Sequence, residues 1–586
     1  MYYEFMFNRT KIICTIGPSV TSFDKMLELI GAGMNVARLN FSHGTHEEHA
    51  LNIANLKKAR KQVGVPLALM LDTQGPEIRI GKLKDGALKL VPGQKIKLAP
   101  SGGDVPFPYP EVLEIMRVGT KVLFDDGYII GKVVLQAADH AMVEIENTGV
   151  LKSGKKMNIP GVIIPIPAMT EKDVEDLKFG CRHGIDFVAA SFIRSSHHIL
   201  AIKQLLNKEG CPGIQVIAKI ESTQGVENFD SIVQAADGIM IARGDLGVEV
   251  DLAEVPKLQK WMIRKCFQAC KPSITATQML ESMITNPRPT RAEASDVANA
   301  IYDYTSCIML SGETAMGAYP IEATERMRSI AQVAEADVHY RHFFEMNSQR
   351  DYHDISSAVA AAAVKTAYGA GAKVIFAFTA SGMTARLLSR LRPEMLIVAV
   401  TPSESTYHQL SLNWGVVPFL LEGWKDAKDA FASASSFALE QGLIAFGDVV
   451  VVTSGIPFGE KGTTNMMVVE TIGDILVRGN KGHGPKVSGK VSLILSPEGH
   501  TEADLKGKIA VILHCDHSFL PILKHAAGVI LQNYVGDTGS ETYVDIVAKT
   551  FNISVMTRAD GAMQLLNDGE EITLDPQRGL IYRGTD

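Results

Sequence analysis

Several short apolar runs in the first 320 residues end in groups suited to phosphate and metal chemistry. Lys219-Ile220-Glu221 closes one run, Ala242-Arg243-Gly244-Asp245 another, and Arg38-Leu39-Asn40-Phe41-Ser42-His43 a third. Asp72-Thr73, Thr275-Ala276-Thr277-Gln278 and Ser311-Gly312-Glu313 end three more. A single carboxylate at such a place is an ordinary helix cap. Two carboxylates (Glu221, Asp245) brought together with two cations (Arg38, Lys219) have the parts to hold a hard, oxygen-liganded cation beside a phosphorylated substrate. No His/Cys set accompanies them, which argues against zinc. Residues two apart on a strand face the same side, so Lys219 with Glu221, and Arg38 with Asn40, can face one site.

The elements needed to gather these groups are legible as a repeating pattern. β-branched apolar runs at 11–17, 34–40, 66–72, 186–191, 215–220, 238–243, 273–278 and 307–312 alternate with amphipathic helical stretches. Eight βα units predict a parallel TIM barrel, 1–81 with 168–340, in which the reacting groups sit at the C-terminal strand ends. The gap between the third and fourth runs holds an insert, 82–167, rich in Val, Ile, Gly and Lys around the turn Asp125-Asp126-Gly127. It reads as a small β-barrel domain, a lid over the barrel mouth. Alternation resumes in a C-terminal α/β domain, 341–479. The stretch 480–489, NKGHGPKVSG, reads as a Gly/Pro/Lys linker, and 490–586 as an extra α/β module.

At 586 residues several cores are expected, and 46% hydrophobic with 21% charged residues is the balance of a soluble globular chain. A formal net charge of −7 without a long basic run argues against nucleic acid as a partner. The first eleven residues lack the apolar core of a signal peptide, and no apolar stretch is long enough to span a membrane, so a cytoplasmic location is expected. The seven cysteines are scattered, with no Cys-x-x-Cys pair, and predict reduced thiols; Cys266 and Cys270 read as packing residues.

Taken together, Lys219-Ile220-Glu221, the run Ile241–Glu249 (IARGDLGVE), 286–293 (NPRPTRAE), 38–44 (RLNFSHG), 72–79 (DTQGPEIR), 276–281 (ATQMLE) and 309–314 (MLSGET) closely resemble the pyruvate kinases. The resemblance covers about residues 9–478, in the same order and with the same insert. It implies transfer of the phosphoryl group of phosphoenolpyruvate to ADP, giving pyruvate and ATP, with Mg²⁺ or Mn²⁺ and K⁺ as cofactors and a homotetramer as the assembly.

The resemblance also implies roles. Lys219 and Arg38 would meet the phosphoryl group, with Arg79 nearby, and Glu221 with Asp245 would hold the divalent ion. Asn40, Ser42, Asp72 and Thr73 would supply oxygens to K⁺, and Asn40, His43 and Arg79 would contact the nucleotide. Ala242, Arg243, Gly244 and Asp245 would receive the substrate carboxylate, and Thr277 would join a proton relay to the enolate. Gln74 stands where most of the family has Lys, and Glu77 is the residue the family associates with K⁺ dependence. Two other classes stay open on the residues alone: a metal-dependent lyase acting on enolates, and a catalytically quiet scaffold, which the intact Lys219, Glu221, Asp245 and Thr277 oppose.

In the third domain Thr379-Ala380-Ser381-Gly382-Met383-Thr384 follows a strand and opens a helix, a setting that suits phosphate. In the family the matching loop binds a phosphorylated effector, through Thr379, Ser381, Gly382 and Thr384, with 455–464 as its cover. The terminal module resembles the phosphohistidine domain of phosphoenolpyruvate-utilising enzymes. Its Thr-Ser-His-Ala stretch falls near Glu541-Thr542-Tyr543-Val544, where no His stands, so phosphohistidine transfer is not expected. The near P-loop at 484–491 ends in Val rather than a hydroxyl and is set aside. Thr45 and Glu48 predict a capping box, with His46 and His49 on a solvated helix face.

Overall fold

The computed structural model describes residues 8–162, 167–348, 354–424, 426–456 and 464–583. Eight strands close a barrel: β1 (Lys11–Ile16), β2 (Val36–Asn40), β3 (Ala68–Asp72), β4 (Phe187–Ala190), β5 (Gln215–Ile220), β6 (Gly238–Ala242), β7 (Ser273–Ala276) and β8 (Cys307–Leu310). Each pairs in parallel with its sequence neighbours, and β1 pairs with β8.

Alternation along these strands sorts the side chains into two layers. Ile13, Val36, Met70, Phe187, Ile217, Met240, Ile274 and Met309 fill the barrel interior, while Ile12, Cys14, Leu39, Leu71, Val216 and Ile241 pack outward against the helices. The inward-facing series turns polar two residues further along four of the strands: Ile13 gives way to Thr15, Val36 to Arg38, Met70 to Asp72 and Ile217 to Lys219. Leu412 joins the interior cluster. The apolar lower layers therefore act as the rigid floor under a polar mouth.

Local signals start and stop the helices. Thr45 and Glu48 form a reciprocal capping box for His46–Val63, which ends at Gly64 with φ of 74°, and Thr170 with Asp173 does the same for Glu171–His183. The expectation for the two histidines fails: His49 is buried and stacks on Phe41 at 4.0 Å, and the half-buried His46 lies 2.7 Å from Asp176. The helix face they share packs on Phe41 and on the helix Glu171–His183. All seven cysteines are free thiols.

The insert has its own apolar core, including Ile96, Leu98, Phe107, Val122, Phe124 and Val143. A six-stranded sheet and a two-stranded one carry it, with Lys121–Phe124 and Ile129–Gln136 pairing antiparallel about the Asp125-Asp126-Gly127 turn. The third segment alternates the strands Val374–Phe378, Leu396–Thr401, Val416–Leu420 and Val449–Ser454 with the helices Ile355–Ala370, Met383–Arg390 and Ala427–Glu440. Its strands 396–401 and 416–420 run parallel.

The stretch 480–489 is not a linker. Asn480–His483 pairs antiparallel with Ser554–Thr557, and Val487–Ile494 pairs with both Glu571–Asp575 and Ile509–Ile512. The terminal sheet has eight strands and begins at Ile475–Arg478, paired with Leu580–Arg583. The glycines that read as flexible serve close approach: a Cβ at Gly482 would lie 1.7 Å from the Val555 carbonyl oxygen, and Gly484 has φ of 98°. Among the described residues no helix is long and apolar enough to cross a membrane.

Candidate active site

Asp72 is the centre of the charged cluster at the barrel mouth. It is fully buried at the end of β3, its Oδ2 2.6 Å from Arg38 Nε and its Oδ1 3.1 Å from Lys219 Nζ. Burial opposes its charge, but Arg38 and Lys219 outweigh that and hold its carboxyl below the usual range. Arg38 Nη1 also donates to Thr15 Oγ1 at 2.9 Å. Lys219 Nζ lies 2.7 Å from Ser191 Oγ and 3.1 Å from Glu221 Oε1. Burial alone would lower the Lys219 pKa, yet Asp72 and Glu221 raise it, so the ammonium is fixed in its charged form. Both cations are largely buried, where their field on a phosphoryl group is stronger than in open water.

The two carboxylates offered for a divalent ion differ. Glu221 accepts the Phe192 N–H at 2.6 Å, and burial pushes its pKa up. Asp245, on the first turn after β6, lies 2.5 Å from Lys156 Nζ, and that lysine holds its carboxyl low against the pull of burial. Among the described residues no group of three or more His, Cys, Asp or Glu is placed to hold a metal. Two carboxylates at a mouth open to substrate oxygens and water still fit a small hard cation, which keeps several non-protein ligands.

Lys156, Asn158 and Glu249 were not singled out in the sequence. Lys156 comes from the insert and touches Asp245, lies 3.6 Å from Glu77 Oε1 and stands 4.7 Å above the Phe192 ring. Asn158 Nδ2 donates to Glu249 Oε1 at 2.7 Å. These contacts bring the insert onto the mouth. Lys155-Lys156 is one of two adjacent lysine pairs, with Lys57-Lys58, and nothing in its spacing marks it. Ser191 and Phe192 were missed too, since β4 ends in small and apolar residues; Phe192 acts through its backbone N–H, in the left-handed region at φ 55°.

Thr277 and Gln278 follow β7 with φ of 69° and 54°, a conformation that costs a non-glycine residue about 1–3 kcal/mol. Neighbours hold Thr277 there. Its Oγ1 accepts the Gly244 N–H at 2.9 Å and donates to the Ala276 carbonyl at 2.6 Å, while Arg243 Nη2 donates to the Thr277 carbonyl at 2.8 Å. Arg243 also reaches Asp296 at 2.7 Å. Its guanidinium thus braces the turn that carries Thr277, and the segment 242–245 meets 277 directly.

Other expected residues lie outside this cluster. Asn40 Oδ1 accepts the Ser42 N–H at 3.2 Å, and Ser42 and His43 are exposed on the loop beyond β2. Thr73 Oγ1 accepts the Ser191 N–H at 3.1 Å. Arg79 is bound to Glu77 and to the Gly154 carbonyl, so it reaches Asp245 only through Glu77 and Lys156. In the third domain Gly382 caps the helix Met383–Arg390 at φ 78°, and the buried Thr384 Oγ1 lies 2.7 Å from Thr464 Oγ1. Thr379 donates its N–H to the Val400 carbonyl, and the Ser381 carbonyl accepts from Arg386. The central part of the expected cover, 457–463, lies outside the described residues.

Where the phosphohistidine would fall, Glu541 is 2.6 Å from Arg558 Nε and 3.0 Å from Asn533 Nδ2. Glu541 is thus held in an ion pair within the stretch near which the resemblance would set a reactive imidazole.

Comparison with known proteins agrees with this geometry. Residues 7–324 match the pyruvate kinase barrel domain, 357–470 the pyruvate kinase alpha/beta domain, and 504–579 the mobile domain of PEP-utilising enzymes. The pyruvate kinase of Geobacillus stearothermophilus is 42% identical, over 99% of each chain, and that of Sporosarcina psychrophila is 42% identical over 98% of this chain and 99% of the relative. The crystal structure of a pyruvate kinase from Cryptosporidium parvum superimposes with a TM-score of 0.77 at 36% identity, covering 79% of this chain and 96% of that one. With a TIM barrel, a third α/β domain and a mobile-domain module in one chain, the protein belongs to the pyruvate kinases that carry an additional C-terminal domain.

Proposed function

We propose that this chain transfers the phosphoryl group of phosphoenolpyruvate to ADP, giving pyruvate and ATP. The observation that carries the reading is Lys219, locked in its charged state between Asp72, Ser191 and Glu221 and adjoined by Arg38 through Asp72. The transferring group spreads negative charge over its oxygens in a loose in-line displacement, and fixed cations stabilise it without reorganising. Arg38 and Lys219 do this on the donor side. The Asp72 carboxylate keeps the two cations together at a separation their mutual repulsion would otherwise oppose.

Glu221 and Asp245 would hold Mg²⁺ or Mn²⁺, which supplies charge neutralisation to phosphoryl oxygens when bound. Asn40, Ser42, Asp72 and Thr73 would ligate K⁺, with Glu77 setting that dependence. The turn 242–245 would receive the substrate carboxylate on its backbone amides, since the first amides of a helix have no intrahelical acceptor. Once the phosphoryl group leaves, the enolate carbon takes a proton. Thr277 hands it on from water, releasing its own bond to the Ala276 carbonyl as it does so. Asn40, with His43 and Arg79 exposed at the rim, would contact the incoming nucleotide.

The same reading carries the insert as a lid, a phosphorylated effector at Thr379, Ser381, Gly382 and Thr384, a homotetramer and a cytoplasmic location. It is tested by pyruvate formation from phosphoenolpyruvate and Mg²⁺, with ADP present or omitted and K⁺ exchanged for Na⁺. Turnover that needs ADP and falls in Na⁺ is the expected result. Turnover without ADP would favour a lyase, and none under any condition would favour a scaffold.

A further inference from the structure

The turn that carries Thr277 is strained at two successive residues, and it is restrained from both sides. On one side the Arg243 guanidinium holds the Thr277 carbonyl at 2.8 Å and is itself held by Asp296 at 2.7 Å. On the other the restraint is a carboxylate, Glu313. It is fully buried on the short helix Gly312–Ala315 that follows β8, where its Oε1 accepts the Leu280 N–H at 3.0 Å and its Oε2 accepts the Ser311 N–H at 2.7 Å. One side chain therefore ties the loop after β7 to the end of β8.

The two loops are also packed together. A Cβ at Gly312 would lie 2.9 Å from Ile284 Cδ1, and the Ala318 N–H donates to the Ile284 carbonyl at 2.8 Å. The phosphoryl-binding cations are anchored elsewhere, Arg38 on Asp72 and Thr15, and Lys219 on Asp72, Ser191 and Glu221. The mouth thus has two differently anchored parts, one for the phosphoryl group and one for the proton.

We propose that Glu313 is a positioning residue for proton delivery: through Leu280 it sets where the Thr277 hydroxyl points, and it acts on enolate protonation rather than on phosphoryl transfer. The inference deepens the catalytic reading above and rests on it. In the step concerned, the enolate C=C pair takes the Thr277 hydroxyl proton at the methylene carbon and the oxygen lone pair closes the ketone C=O. The Thr277 oxygen recovers a proton from water, leaving hydroxide. Such a transfer needs donor and carbon aligned within reach, so a small displacement of the turn slows it while the cations keep their field.

The test compares Glu313→Gln with the parent in two assays: ATP formed from phosphoenolpyruvate and ADP in a single turnover by rapid quench, and steady-state pyruvate formation in H₂O and in D₂O. Gln keeps the shape but sets an NH₂ group against one of the two amides. Glu313→Asp keeps the charge but draws it back from Leu280, and circular dichroism checks each fold. A kcat for pyruvate lower by about tenfold or more is expected in Glu313→Gln, with KM values and single-turnover ATP formation within about threefold of the parent. The solvent isotope effect on kcat should rise, and Glu313→Asp should fall between. A parent that makes no pyruvate would sink the catalytic reading and this inference with it. With an active parent, the inference alone is overturned by a kcat within about twofold in folded Glu313→Gln, or in Glu313→Asp should Gln not fold. ATP formation slowed as much as pyruvate formation would overturn it equally.

Discussion

Lys156 shows how much one side chain can control at the mouth. Its ammonium occupies the Asp245 carboxylate that the proposed divalent ion must share, so lysine and metal compete for one oxygen. A partly exposed pair of this kind, discounted for solvent screening, shifts the competing equilibrium by about 1 kcal/mol, or about fivefold. Lys156→Met is therefore expected to bind Mn²⁺ more tightly in the absence of substrate, read by the loss of free-ion paramagnetic resonance signal. Unchanged or weaker Mn²⁺ binding would show that the lysine does not compete. The charged strand ends were legible in the sequence because Arg38, Lys219, Glu221 and Asp245 combine unusual types with a fixed place. Lys156, Ser191 and Phe192 were not. The first arrives from a separately folded insert, the second is a common serine, and the third works through a main-chain amide that any residue carries.

At the scale of elements, the apolar runs and period-2 alternation gave the eight strands to within a few residues, since buried parallel strands leave few alternatives. The capping boxes at Thr45 and Thr170 are equally local and equally visible in type. The strands at 475–494 were hidden because glycine and proline mark both flexible linkers and close strand approach, and only the partner strands decide which. His46 and His49 were misjudged for a related reason: a histidine stacked on Phe41 looks in sequence like one in water. His408 illustrates what such burial does. Its Nδ1 accepts the Leu67 N–H at 3.3 Å, and burial takes its pKa down from 6.5 to about 3. A depressed histidine stabilises the fold above pH 6.5, and that contribution is lost as pH falls toward 3, because the unfolded chain takes up the proton first. Relative to His408→Gln, the parent should lose about 1.4 kcal/mol per pH unit in that window. Denaturant midpoints measured at several pH values check this, and parallel profiles would contradict it.

For the whole molecule, the composition-based boundary and the folded one lead to different truncations. Ending the chain after Gly489 leaves Ile475–Arg478, Asn480–His483 and part of Val487–Ile494 without partner strands, and exposed edges of this kind aggregate. Ending it after Gly473 removes the terminal sheet entirely. The shorter chain is expected to remain soluble with phosphoenolpyruvate-to-ADP transfer, and the longer one to precipitate, as read by sedimentation and activity; the reverse order would restore the linker. The terminal module contributes no imidazole at 541–544, so its absence should cost no phosphoryl chemistry. That chemistry rests on Lys219 held between Asp72, Ser191 and Glu221, and the most direct test is the kcat of Lys219→Met against the parent, with circular dichroism to establish an intact fold. The account predicts a loss of about 10³-fold or more in a folded protein. Turnover within a few-fold of the parent would contradict it.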